Sequence, residues 1–190
     1  MRIITGRARG VRLKAPKGLS TRPTSDRVKE SLFNILGARV ANRRVLDLFA
    51  GTGSLGLEAI SRGAAGAVLV DRATGNVLQD NAEHAKLSEL ARIVRGDVFT
   101  ALTRLAVEGE TFDLVFCDPP YGKGLWERTL TALDGSPLLS EGALVIVESG
   151  EDERTIPALS RLSLVREERY GHTTRLRFFE NAGAQLEDEG

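Results

Sequence analysis

An acid, two prolines and an aromatic residue end an apolar run in the sequence FDLVFCDPPYGKG. A turn alone needs neither two prolines nor a carboxylate beside an aromatic ring. Asp118 and the carbonyl of Pro119 could accept hydrogen bonds from a ligand and favour positive charge on the donor atom. Pro119 and Pro120 fix φ and so aim that carbonyl, while Tyr121 offers a face for stacking. The alternative is a strand-ending turn with an exposed tyrosine.

A second group of residues combines glycines with carboxylates. Gly51 and Gly53 follow a predicted strand and open a helix, where a ligand can approach the backbone closely. Asp47 precedes them; it would repel a pyrophosphate but suits a ligand that carries an ammonium group. Asp71 ends the next predicted strand, where an acid can accept hydrogen bonds from ribose hydroxyls. A cationic amino acid beside a ribose describes S-adenosylmethionine, and Asp97 would then lie near the adenine.

Both groups have simpler alternative interpretations. The glycines could form an ordinary strand-to-helix junction, and Asp97 could only cap a helix. The position of both motifs at the ends of strands favours a ligand site, because parallel sheets bind ligands at the carboxyl ends of their strands.

The elements that must position these residues alternate regularly from residue 43 onward. Five apolar runs predict strands, at 44–50, 65–71, 91–97, 112–118 and 143–150. Helices are predicted between these strands. This order predicts an α/β fold with a parallel sheet and helices on both faces. Residues 162–180 contain two strand-like runs joined near Gly171, which predicts an antiparallel hairpin that completes a mostly parallel, seven-stranded sheet.

The N-terminal part of the chain differs from the rest in charge. Residues 1–44 contain 12 Lys/Arg and two acids, whereas residues 45–190 contain 14 Lys/Arg and 24 acids. We interpret 1–42 as a basic extension, built from a short hairpin and a helix that Thr24 or Ser25 caps. Such a basic segment favours a polyanionic partner, although a solvated extension is equally compatible with the charges. Residues 43–180 would form the main domain and 181–190 an acidic flexible tail.

Composition excludes several other classes of protein. The longest apolar runs are too short to span a bilayer, and the basic N-terminus lacks the apolar core of a signal peptide. Cys117 is the single cysteine, which excludes an internal disulfide, and no spacing of metal ligands is recognisable. We expect a cytoplasmic protein without a bound metal, and a monomer.

The glycine motif and the proline motif together resemble one enzyme class. The sequences DLFAGTGSLGLEA, residues 47–59, and DPPY are similar to those of Rossmann-like, S-adenosylmethionine-dependent methyltransferases that act on amino groups. The resemblance implies that Asp118, Pro119, Pro120 and Tyr121 are catalytic. It implies a cofactor site formed by Asp47, Phe49, Gly51, Gly53, Asp71, Arg72, Asp97, Val98 and Asp118.

The N-terminal segment resembles a narrower group, the bacterial RsmD family. RPTSDRVKESLFN, residues 22–34, is the most diagnostic stretch. The resemblance implies methylation of the N2 amine of a guanine in small-subunit ribosomal RNA, within an assembled ribosomal particle. The residues expected to contact RNA are Arg7, Arg9, Arg12, Lys14, Arg22 and Arg27. Thr24 and Arg27 could also help to cover the cofactor site.

Three alternatives remain open at this stage. The same motifs occur in enzymes that methylate the N6 amine of DNA adenine or the side-chain amide of a protein glutamine. A noncatalytic RNA-binding protein could keep the cofactor fold, although the intact Asp118–Tyr121 motif argues against it. A nicotinamide-dependent oxidoreductase is disfavoured, since Asp47 and the proline motif would have no purpose in it.

Overall fold

The computed structural model describes residues 1–18 and 24–182, whose central element is one seven-stranded sheet. Its strands are β1 (Arg44–Leu48), β2 (Gly66–Asp71), β3 (Ala91–Arg95), β4 (Phe112–Cys117), β5 (Leu139–Gly150), β6 (Leu162–Tyr170) and β7 (Thr174–Asn181). The helices are α1 (Asp26–Leu36), α2 (Ser54–Ser61), α3 (Gly75–His84), α4 (Val98–Val107) and α5 (Leu125–Leu133), with short 3-10 turns at Gly37–Arg39 and Ser88–Leu90.

The strand order explains how the candidate residues reach a common edge. The strands lie in the order β3-β2-β1-β4-β5-β7-β6, in which β1 to β5 are parallel and β7 is antiparallel to both of its neighbours. The predicted α/β, Rossmann-like sheet with a C-terminal antiparallel hairpin is thereby confirmed. Because β1 to β5 point the same way, the residues that follow them share one edge.

Apolar side chains on the two faces of the sheet form two separate clusters. One cluster packs α1, α2 and α3 against one face, and the other packs α4 and α5 against the opposite face. The central strands are apolar on both sides, as expected for a parallel sheet covered by helices. No helix within residues 1–18 and 24–182 has the length and apolar character that a membrane crossing needs.

Residues 1–14 form a narrow loop with one antiparallel β-bridge and a few backbone hydrogen bonds beside it. Arg2 pairs with Arg12, and backbone hydrogen bonds on either side continue the pairing for a few residues. Ile3 and Leu13 are buried in the same cluster as α1 and α2, so the loop packs on the main domain. The predicted division of the chain at residue 42 stays a prediction; Arg22 and residues 183–190 of the predicted tail lie outside the described residues.

A buried ion pair joins this loop to α1 and α2. Lys29 Nζ lies 3.2 Å from Glu58 Oε2, and both side chains are fully buried. The carboxylate of Glu58 also accepts hydrogen bonds from the backbone N–H groups of Ile4 and Thr5, at 2.8 and 3.0 Å. Burial lowers the pKa of Lys29, and the attraction of Glu58 opposes that shift. Removing Glu58 would leave Lys29 as an uncompensated buried charge, whereas removing Lys29 would leave Glu58 paired with Arg62 alone. Because Glu58 also binds the loop backbone, it fixes where the loop attaches.

Gly6 allows the tightest approach between this loop and α2. Its φ is +91°, and a Cβ added there would lie 1.8 Å from the backbone oxygen of Ser61. The same oxygen accepts a hydrogen bond from Arg7 N at 3.0 Å. Only a residue without a side chain fits this contact.

We expect Gly6→Ala to lower the free energy of unfolding by about 3 kcal/mol or more, because backbone strain and overlap with Ser61 add together. Gly10→Ala is the matched control: its φ is +85°, but a Cβ there meets nothing within 4 Å. The control should lose about 1 kcal/mol from the backbone conformation alone. Urea unfolding of both variants measures the difference, and equal losses would contradict the close docking of the loop on α2.

Candidate active site at the carboxyl edge of the sheet

Two carboxyl groups lie side by side where β4 and β5 end. Cys117 pairs with Val147 in the parallel register, so Asp118 and Glu148 are the next residues on neighbouring strands. The Glu148 side chain is buried, and Asp118 is partly buried. Within residues 1–18 and 24–182, no lysine or arginine forms an ion pair with either group. The edge of the sheet thus carries two adjacent carboxyl groups in a poorly hydrated place.

The hydroxyl of Thr24 lies between these two carboxyl groups. Thr24 Oγ1 is 3.1 Å from Asp118 Oδ2 and 2.9 Å from Glu148 Oε2. A hydroxyl carries one hydrogen, so it can donate to only one of the two oxygens at a time. Both contacts become hydrogen bonds when one carboxyl group is protonated and donates to Thr24.

Ser25 caps α1, so the hydroxyl of Thr24 is free to contact the two carboxyl groups. Ser25 Oγ accepts a hydrogen bond from Val28 N at 3.2 Å and is the N-cap. Of the two predicted caps, Ser25 is therefore the one used.

The electrostatics of the edge favour the protonated form of Asp118. Burial raises the pKa of Asp118 well above its usual value, and the neighbouring charge of Glu148 raises it further. The hydrogen bond from Thr24 opposes these two effects. A neighbouring negative charge in a poorly hydrated site disfavours the ionised form of Asp118.

Tyr121 completes the corner that the two prolines form. Its hydroxyl donates to Glu148 Oε1 at 2.8 Å and lies 3.4 Å from Thr174 Oγ1. Burial and the Glu148 charge raise the pKa of the phenol, so the hydroxyl remains a donor. The ring is thereby held at both ends, by the backbone at Pro120 and by the bond to Glu148.

A further set of contacts fixes the loop after Tyr121. Glu153 accepts hydrogen bonds from Gly122 N at 2.9 Å and from Gly150 N at 2.8 Å, which ties this loop to the end of β5. Arg177 is almost fully buried beneath it, donates to the backbone oxygen of Glu153 at 2.8 Å and lies over the ring of Trp126 at 4.7 Å. These contacts make the corner a rigid part of the sheet edge.

The glycine turn lies at the same edge, after β1. Asp47 is buried, and its Oδ2 accepts a hydrogen bond from Gly56 N at 2.9 Å. Burial raises the pKa of Asp47 to about 7, the Gly56 bond lowers it, and Asp71 contributes a smaller upward shift. Phe49 adopts a φ of +59°, which is rare for a residue with a side chain and marks a constrained turn. A Cβ at Gly51 would meet nothing within 4 Å, so the turn is open on that side.

Asp71 holds the glycine turn and the start of α3 together. Its Oδ2 accepts a hydrogen bond from Gly51 N at 3.0 Å, and its Oδ1 accepts from Ala73 N and Thr74 N at 2.8 and 3.0 Å. The structure thus gives this acid a clear structural role in addition to its predicted role toward a ribose. The neighbouring Arg72 is exposed.

Asp97 is the N-cap of α4, as its alternative interpretation suggested. Its Oδ1 accepts hydrogen bonds from Phe99 N and Thr100 N at 3.0 and 3.1 Å. Val98, the first residue of the helix, is buried beside it. Asp97 itself is exposed and retains a second carboxylate oxygen, so capping does not prevent a contact with a ligand.

Comparisons with known proteins agree with this geometry. The family model described as Conserved hypothetical protein 95 matches residues 1–180. Ribosomal RNA small subunit methyltransferase D of Escherichia coli (strain K12) is 43% identical over 170 residues, which cover 88% of this chain and 83% of that protein. The chain belongs to the RsmD family.

Solved structures support the fold of this RsmD-family chain. That of yhhF from Escherichia coli has a TM-score of 0.81 at 41% identity and covers 96% of this chain and 98% of that chain. The structure of an RNA methyltransferase from Salinibacter ruber in complex with S-adenosyl-L-homocysteine has a TM-score of 0.65 at 18% identity. The match covers 88% of this chain and 98% of that chain. The second likeness concerns the fold alone.

The predicted RNA contacts of this RsmD-family chain occupy its exposed surface. Arg7, Arg9, Arg12 and Lys14 are exposed, and Lys14 lies 3.6 Å from Asp80 in an exposed ion pair. Arg27 is exposed on α1 and lines an open cleft of about 570 Å³ that Arg166 of β6 also lines. The predicted RNA surface therefore stays available, while Arg22 lies outside the described residues.

Sequence reasoning found most of the corner but missed some of its residues. Glu148 follows the apolar run LVIV in β5 just as Asp118 follows LVFC in β4, and this parallel was the available signal. The role of Glu153 depends on folding of the segment after β5, which leaves no local pattern. The partners of Thr24 lie more than 90 positions away along the sequence, so no local pattern identifies them.

The raised pKa of Asp47 predicts a pH-dependent loss of stability in the cofactor-free protein. The folded pKa of about 7 lies above the unfolded value near 3.8, so stability present at low pH is lost as pH rises through this window. Relative to Asp47→Asn, the wild type should lose on the order of 4 kcal/mol between pH 4 and 8. Urea unfolding of both proteins at several pH values measures this difference in the free energy of unfolding.

Asp152→Asn is the control for this measurement, because it removes one carboxyl group from an exposed turn. Parallel stability curves for the wild type and Asp47→Asn would contradict the desolvated state of the Asp47 carboxyl.

Proposed function

We propose that this chain transfers a methyl group from S-adenosylmethionine to the exocyclic N2 amine of a guanine in small-subunit ribosomal RNA, within an assembled ribosomal particle. The observation that carries the proposal is the rigid corner at Asp118–Tyr121, on the same sheet edge as the glycine turn. Membership of the RsmD family supports it, since its Escherichia coli relative is named a small-subunit ribosomal RNA methyltransferase. The proposal includes a cytoplasmic location and a monomer.

The residues of the glycine turn fit the proposed cofactor. Asp47 is a buried carboxyl group whose one described hydrogen bond comes from a backbone N–H, so a cationic ammonium would satisfy it. Asp71, beside Arg72, would accept bonds from the ribose, and Gly51 leaves room for the ligand at the turn. Phe49 would border the ligand, while Gly53 lets the turn pack closely on leucine side chains of the core. Asp97 and Val98 would bound the adenine. When bound, the cofactor supplies a methyl group on a positively charged sulfur and leaves as S-adenosylhomocysteine.

The corner would act on the amine that receives the methyl group. The lone pair of an amine on a purine ring is delocalised, which makes it a poor nucleophile. Asp118 and the Pro119 carbonyl would hold its two hydrogens, favour a pyramidal nitrogen and stabilise the positive charge that develops there. Pro120 and Tyr121 would fix the plane of the base. After transfer the nitrogen would lose one proton, for which a carboxylate at the corner would be the acceptor.

The basic loop would provide most of the attraction for RNA. Exposed side chains of Arg7, Arg9, Arg12 and Lys14 belong to a loop that the Lys29–Glu58 pair anchors. Arg22 and Arg27 would add further contacts to RNA. Contacts of this kind go to phosphates and weaken steeply with salt. A loop guanine would have to leave its stack and enter the corner, as bases do for other base-modifying enzymes.

Ribosomal RNA mapping gives the direct test of the proposed function. Small-subunit RNA from cells that lack this protein should lose one N2-methylguanine, which mass spectrometry can detect, and the wild-type gene should restore it. Loss of a methyl group from DNA adenine or from a protein glutamine would instead support one of the two enzymatic alternatives. An unchanged RNA would favour the noncatalytic alternative.

Asp118→Ala should lower methyl transfer to small-subunit particles at least 100-fold, a typical loss for a preorganised electrostatic contact. Binding of S-adenosylmethionine, measured by calorimetry, should change little. Asp71→Ala is the matched comparison: it removes an acid at the same edge and should weaken cofactor binding, because the glycine turn and the predicted ribose contact both depend on it. Full activity of Asp118→Ala would refute its role.

Charge reversal at Arg7 and Arg9 should weaken binding to the small-subunit particle and reduce the slope of log affinity against log salt by about 2 to 4. Glu replacements at Arg104 and Arg128, on the α4 and α5 face of the sheet, provide the control with the same change of charge. Equal slopes for the two double variants would remove the N-terminal loop from the RNA interface.

A further inference from the structure

Glu148 is the buried group at the corner that the proposed chemistry does not use. The amine alone needs only Asp118 and the Pro119 carbonyl, yet a second carboxyl group is held beside them at considerable electrostatic cost. The parallel register of β4 and β5 places it on the adjacent strand, and Thr24 links it to Asp118. Its Oε1 also receives the hydroxyl of Tyr121. A ligand with more than one donor would relieve the charge of both groups.

The bases differ in what they present next to an amine. Guanine carries the N1–H donor beside its N2 amine, so its edge offers adjacent donors. Adenine carries the N1 acceptor beside its N6 amine, and a glutamine amide carries a carbonyl acceptor. A pair of carboxyl groups therefore matches guanine, whereas either alternative substrate would place an acceptor against an acid.

We propose that Glu148 determines the specificity for guanine by accepting the N1–H while Asp118 accepts a hydrogen of the N2 amine. This inference rests on the proposed function and extends it to the recognition of the base. Tyr121 and Thr24 act as positioning residues: the phenol holds one oxygen of Glu148, and the threonine hydroxyl sets the spacing between the two carboxyl groups. The ring that stacks on the base and the acid that reads its edge are thus connected by one hydrogen bond.

A base analogue separates recognition from chemistry. 2-Aminopurine keeps the amine at position 2 but has an acceptor at N1 and lacks the N1–H. Small-subunit particles reconstituted with guanine or with 2-aminopurine at the mapped position would be methylated under single-turnover conditions. The wild type should prefer guanine by roughly 10- to 100-fold, which is the range for discrimination by charged or bidentate hydrogen bonds.

Glu148→Gln should reduce this preference at least tenfold, because a glutamine amide can donate to the N1 acceptor of 2-aminopurine. Glu153→Gln is the matched control; it alters a carboxyl group that holds the adjacent loop and should lower both rates together, leaving the ratio unchanged. Tyr121→Phe keeps the ring and removes the bond to Glu148, and should reduce the preference by a smaller factor. Calorimetric binding of S-adenosylmethionine verifies that each variant is folded.

Each outcome bears on one claim. A preference that Glu148→Gln leaves unchanged, or a wild type that methylates both bases equally, overturns the role of Glu148 while leaving the proposed function intact. If the wild type methylates no guanine in the particle, the proposed function itself fails. Should Glu148→Gln not bind the cofactor, Tyr121→Phe decides: an unchanged preference in that variant overturns the proposal, and a reduced preference supports it.

Discussion

One hydroxyl hydrogen shared between two adjacent carboxyl groups is the constraint on which the candidate site depends. Thr24 can donate to Asp118 or to Glu148 but not to both, so the corner is fully hydrogen-bonded only when it holds an additional proton or a ligand with donors. Two adjacent carboxylates would repel each other and so destabilise a structural element without function. Their presence at the edge where β4 and β5 end indicates a site shaped for hydrogen-bond donors.

The N-terminal segment is needed for this constraint, because Thr24 reaches the edge only if α1 is docked. Lys29 in α1 contacts the backbone oxygen of Arg2 and the carboxylate of Glu58, so one buried amine ties helix, loop and α2 together. On the other side of the loop, the side chain of Asn81 bonds to the backbone of Lys14 and to the carbonyl of Thr52 in the glycine turn. The surface expected to bind RNA and the turn expected to bind the cofactor are therefore joined through direct contacts.

The sequence was sufficient for the order and type of the elements, since alternating apolar runs and glycine turns are local signals. It also located Asp71 and Asp118, because each acid ends such a run, and Asp47, because it interrupts one just before the glycines. Contacts across the fold were less accessible. Asp97 fits both its cofactor role and a helix cap, and only the structure shows that the cap exists. The partners of Thr24 and Tyr121 depend on the register between β4 and β5, which is a property of the assembled sheet.

The central claim is that this corner receives the edge of a guanine. The most direct measurement is the structure of the protein bound to a small-subunit particle with a nonreactive analogue of the methyl donor. The account predicts a guanine out of its stack and against Tyr121, with N2 within hydrogen-bond distance of Asp118 and N1 facing Glu148, and with the donor at the glycine turn. A base held elsewhere, or a donor bound away from Asp47, would contradict it.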